Sequence, residues 1–159
     1  MSGKKDMDEE KSIAAKKSGV FLLVVDESAE FKVALKSACD LALKQKGHIA
    51  LLYVIEPPGF QQWGMVEEQM LAEEKQKAHE RVMAAAQVVK DKLDEMPTFY
   101  IKEGDGRDVV LEVIEEAGDV EALVLGAGGA TNPLIGYFSA KGLSALKVPL
   151  FIIPDTTQI

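Results

Sequence analysis

The chain has 159 residues, of which 47% are apolar, and a formal net charge of −8. That length and apolar content match one globular domain with a buried core and exclude a wholly disordered chain. The acidic balance argues against nucleic acid or an anionic membrane surface as partner, because both are held by clustered Lys and Arg.

Residues 1–18 carry five Lys and four acids among few apolar side chains. They read as a disordered N-terminal arm that solubilises the chain or binds a partner. The arm lacks the apolar stretch of a secretory signal, and no apolar run reaches the roughly 18 residues of a membrane span, so a cytoplasmic location is expected. Cys39 is the single cysteine, which rules out an intrachain disulfide.

Val20–Val25 (VFLLVV) is an unbroken Val/Leu run, the pattern of a strand buried on both faces. Asp26–Ser28 interrupts it, and Ser28 or a neighbour is placed to cap a helix over about Ala29–Lys46. Ala34, Leu35, Ala38, Leu41 and Ala42 form that helix's apolar stripe. Gly47 is placed to end it in the left-handed conformation. Ile49–Ile55 reads as a second buried strand, stopped by Pro57, Pro58 and Gly59. A loop with Phe60 and Trp63 precedes a long helix over about Met65–Asp94, striped by Leu71, Ala78, Val82, Ala85, Val89 and Leu93.

Thr98–Lys102 is a third strand. Asp105 is placed to cap a helix through Ala117, which Gly118 ends. Ala122–Leu125 is a fourth strand, running into Gly126-x-x-Gly129. A polar loop, Ala130–Pro133, leads to a helix around Tyr137–Leu146. Val148–Ile153 is a fifth strand, closed by Pro154. Strict alternation of strand and helix predicts a single doubly wound α/β domain over residues 19–159, with right-handed crossovers and a parallel sheet.

Ligands of such sheets sit beyond the carboxyl ends of the strands, at the switch point. Asp26, Glu56–Gly59 and Gly126–Gly129 meet there. Glycines after a strand let backbone N–H groups approach a phosphate, and they serve equally as a tight strand exit. Asp26 is placed either to accept from a ribose hydroxyl or to cap the first helix. Phe60 and Trp63 are placed to pack in the core or an interface, or to cover a base. The chain has no Walker A motif outside the arm's lone Gly3–Lys4, no G-x-G-x-x-G after the first strand and no G-x-S-x-G. His48 and His79 lack metal-ligand spacing. No general base or nucleophile stands out, so binding with little turnover is expected; slow hydrolysis would need a metal near Asp26 or Asp105.

Four segments together resemble the universal stress protein family. They are LLVVDESAEFKVALKSACDLA (Leu22–Ala42), HIALLYVIEP (His48–Pro57), EGDGRDVVLEVIEEAGDVEALVLGAGG (Glu103–Gly129) and KVPLFIIP (Lys147–Pro154). The resemblance implies a Rossmann-like five-stranded parallel sheet in the order 3-2-1-4-5. It also implies a homodimer paired through the last strand, Val148–Ile153, an unidentified regulatory protein partner, and ATP or another adenine nucleotide as ligand. Magnesium would accompany only a bound nucleotide. By similarity, Asp26, preceded by Val25, would meet ribose, Val54 and Leu125 would flank adenine, and Gly126 and Gly129 would hold phosphates. The family's nucleotide-binding branch resembles G-x2-G-x9-G-[Ser/Thr], and here the second half differs. Ser139–Ala140 stands nine residues on, and the nearest glycine, Gly136, is followed by Tyr137, which would crowd a γ-phosphate. Replacing Gly126 with Val is expected to remove binding and spare the fold.

Overall fold

Strands and helices alternate as the apolar pattern requires, and a computed structural model describes residues 19–57, 68–129 and 132–157. In chain order the elements are β1 (Val20–Val24), α1 (Ala29–Gln45), β2 (His48–Ile55), α2 (Glu68–Leu93) and β3 (Thr98–Glu103). They continue with α3 (Gly106–Ala117), β4 (Val120–Ala127), α4 (Pro133–Phe138), α5 (Leu143–Leu146) and β5 (Leu150–Pro154). The strands form one parallel sheet in the order β3-β2-β1-β4-β5. The expectations for the arm, for Phe60 and Trp63, for residues 65–67 and for Ala130 and Thr131 lie outside the described residues.

Alternation along β1 sends Phe21 and Leu23 to one face and Leu22 to the other, and all three are fully buried. The first face packs against α1 and α2 through Ala34, Ala38, Val82 and Val89. The second packs against α3, α4 and α5 through Val110, Val113, Phe138 and Leu146. Each large side chain buried this way contributes about 1.5–3 kcal/mol. Between α1 and α2 lies a smaller apolar groove of 290 Å³, with Phe31, Leu35 and Val88 in its walls. In helix α2 none of residues 68–77 is buried, Leu71 being half-buried, and the first buried side chain is Ala78.

Three local expectations need correction. The residue that ends α1 in the left-handed conformation is Lys46, with φ 53°, one position before Gly47. The N–H groups of both Lys46 and Gly47 reach the Ala42 carbonyl, which offsets the strain of a side-chain-bearing residue there. The single helix expected over Tyr137–Leu146 is two short ones, α4 and α5. Asn132 caps α4 and Pro133 opens it, so it starts early. The Gly142 N–H then turns back to the Tyr137 carbonyl and breaks the run. The last strand begins at Leu150 rather than Val148; Pro149 has no N–H for the ladder, although its carbonyl accepts from Leu123.

Candidate functional site

Strand β1 has β2 on one side and β4 on the other, so the sheet's switch point lies at its carboxyl end. A cleft of 480 Å³ opens there, on the face covered by α3 and α4. Val24, Val54 and Leu134 give it an apolar wall, while Asp26, Glu56 and Arg107 give it polar edges. Its size is that of a small-molecule site.

Each polar group is held from its own element. Asp26 leaves the end of β1 exposed, and its Oδ1 accepts from Ser28 N at 2.8 Å and Ser28 Oγ at 2.5 Å. Ser28 in turn caps α1 by accepting from Phe31 N. Asp26 thus does not cap α1 itself: its Oδ1 holds the capping Ser28, and its Oδ2 has no hydrogen-bond partner among the described residues. Glu56, just beyond β2, accepts from the Gly106 N–H at 2.7 Å and so sits on the start of α3. Asp105 caps α3, accepting from Arg107 N, and binds the Arg107 guanidinium through Nε and Nη2, each at 3.1 Å. Chiefly through that side-chain hydrogen bond, the Asp105 carboxyl is held below its ordinary value and the Arg107 guanidinium above its own.

Tyr137 closes the cleft from α4. Its ring lies 5.3 Å from the Arg107 guanidinium and edge-on to Phe138. A methyl group built on Gly142 would come within 2.7 Å of that ring, so the glycine leaves the space the tyrosine occupies.

Of the residues singled out in the sequence, Val25, Asp26, Val54 and Tyr137 line the cleft. Leu125 is buried in the same face of the sheet without lining it. Gly126 touches the site indirectly, its carbonyl accepting from Asn132 Nδ2 at 3.3 Å. A Cβ on Gly126 would stand 2.5 Å from the Glu30 carbonyl oxygen. This glycine therefore serves the close approach of α1, and Val in its place is expected to cost stability as well as binding. Gly129 and Gly136 are exposed, and a Cβ on either would meet nothing within 4 Å. Ser139 turns its hydroxyl back to the Ile135 carbonyl at 2.6 Å.

Sequence reasoning passed over Arg107 and Asn132. The Asn-Pro pair is a helix-start signal that would have found Asn132; Arg107 becomes legible only once Asp105 and Tyr137 are near it in space.

A profile of the universal stress protein family matches residues 19–154. The chain belongs to this family. Universal stress protein UspA from Lactobacillus plantarum superposes with a TM-score of 0.72 at 18% identity, covering 86% of this chain and 98% of that one. The universal stress protein from Archaeoglobus fulgidus in complex with dAMP gives 0.59 at 17%, covering 85% and 97%. A universal stress protein in complex with cAMP gives 0.56 at 15%, covering 85% and 96%. At such identities the likeness establishes the fold alone. No curated protein matches the chain.

Against this universal stress protein fold, the described residues of the cleft suit part of an adenine nucleotide. Apolar wall, volume and the Asp26 carboxylate fit a purine and its ribose. The described lining does not fit a polyphosphate: it carries three carboxylates, Asp26, Glu56 and Asp105, against one cation, Arg107. Among the described residues no group of three His, Cys, Asp or Glu side chains is arranged to hold a metal, and no helix is long and apolar enough to cross a membrane.

Proposed function

We propose that this universal stress protein is a cytoplasmic regulator that binds an adenine nucleotide in the cleft at the carboxyl ends of β1 and β2. It acts by occupancy, changing its affinity for a regulatory protein partner when the cleft is filled. The observation that carries this reading is the juxtaposition of the Asp26 carboxylate with the apolar wall of Val24, Val54 and Leu134 in a cleft of nucleotide size. The family members in complex with dAMP and cAMP give it support.

The test is mass spectrometry of small molecules released from freshly purified protein, followed by calorimetric titration. About one adenine compound per chain is expected. Asp26→Ala should weaken its binding roughly tenfold, the scale of a lost hydrogen bond to a charged group. No adenine compound bound or titrating would sink the reading. It would favour the alternative in which the same fold works through protein contacts alone. Tyr137, standing where the nucleotide-binding branch carries a small hydroxyl residue, gives that alternative its one specific support.

The reading includes a homodimer through β5. This strand is at the sheet's edge, and Ile152 on it is 40% exposed. Ile152→Glu is expected to turn a dimer into a monomer in analytical ultracentrifugation; a wild-type monomer would remove this part.

A further inference from the structure

The polar edge of the cleft is acidic. Of the described residues that line it, Arg107 is the sole cation, and Asp105 neutralises it through two hydrogen bonds. Asp26 and Glu56 are left uncompensated by any lining cation. Glu56 takes the place an incoming anion would take at the start of the 12-residue helix α3. It is seated closely: a methyl group on Gly106 would stand 2.9 Å from its Oε1.

The glycine turn is equally unwelcoming. A methyl group on Gly128 would strike the Glu30 side chain and stand 2.7 Å from Asp155 Oδ2. No Lys or Arg occurs among the described residues 126–129 and 132–140. Nor do the described acids gather into a metal-holding group that would reverse the field.

Building on the adenine-ligand reading above, we infer that the cleft selects an uncharged purine nucleoside or a nucleotide with a single negative charge, and rejects ADP and ATP, with Glu56 as the specificity-determining residue. Each further phosphate charge is repelled by Asp26 and Glu56 and, at the turn, by Asp155. The apolar wall of Val24, Val54 and Leu134 is indifferent to how many phosphates follow.

Calorimetric titration of the full chain with adenosine, cyclic AMP, AMP, ADP and ATP, with and without magnesium, tests this. Adenosine and cyclic AMP are expected to bind roughly tenfold or more tightly than ATP. Added salt should strengthen ADP binding, because screening relieves repulsion, whereas a cationic phosphate site loses affinity with salt. Glu56→Gln keeps an acceptor for the Gly106 N–H and removes the charge. It should raise the ratio of AMP to adenosine affinity on the order of fivefold, with a thermal melt confirming that it folds. ATP bound as tightly as adenosine, with or without magnesium, overturns the inference and leaves the adenine site standing. An unchanged ratio in Glu56→Gln overturns the role of Glu56. Failure of all five ligands to bind is a different result, and removes the adenine reading itself.

Discussion

On one face of the sheet lie α1 and α2, of 17 and 26 residues; on the other lie α3, of 12, and two short helices of 6 and 4. The strands feed both faces with the same kind of aliphatic side chain, so the strands do not decide where the site lies. Helix length decides it. Among the described residues the long pair leaves a groove between the helices, whereas the short helices leave the larger cleft at the carboxyl ends of β1 and β2. One face is built to be shut and the other to be filled by something else.

The largest expected effect is on the shut face. Phe21 is 0% exposed, with the ring of Phe151 6.2 Å away. Phe21→Ala should cost about 3–5 kcal/mol, measured by chemical denaturation. A cost under about 1 kcal/mol would mean that this layer is not the stabilising core.

Next comes the seam between the faces. Gly126→Val drives a side chain against the Glu30 carbonyl, and overpacking of this kind costs about 1–3 kcal/mol. A melting temperature equal to wild type would show that the start of α1 yields freely.

Smaller still is the open face. Asp105→Ala should remove about 1 kcal/mol of helix capping at neutral pH. The Asp105 carboxyl lies below its ordinary 3.8 in the folded chain. Its stabilisation is therefore present above pH 3.8 and lost as the pH falls through the lowered value. The gap between wild-type and variant melts should close in strong acid; a constant gap would remove the charge from the explanation.

The smallest effect is an absence of reaction. Burial pushes the Cys39 thiol up to about 11, and the side chain is 0% exposed. A disulfide reagent should label it only on unfolding. Rapid labelling of the native protein would show that the α1–α2 face opens.

The sheet was legible in the sequence because unbroken runs such as VFLLVV and IALLYVI have few alternatives to doubly covered strands. The caps at Ser28 and Asp105 were legible too, since their signals are local. The chain between β4 and β5 was not. There a ring in contact with Gly142 and a turned-back N–H decide the path, and neither shows in periodicity. In the site, Asp26, Val54 and Tyr137 could be placed from strand ends and motif spacing. The acidity of its polar edge could not, because Asp26, Glu56 and Asp105 are far apart in sequence and converge only through the fold.

Helix α2 begins ten residues before its first buried side chain. At 1.5 Å per residue that is about 15 Å of helix without a buried side chain, tied to the sheet among the described residues through the Lys75–Glu103 pair. Its amides should therefore exchange with solvent in two populations. Those of residues 68–77 need only local fraying, at a small fraction of the global free energy, while those beyond Ala78 wait for the whole domain to open. A single helix thus carries two stabilities, and its outer turns can melt and reform without disturbing the floor of the cleft.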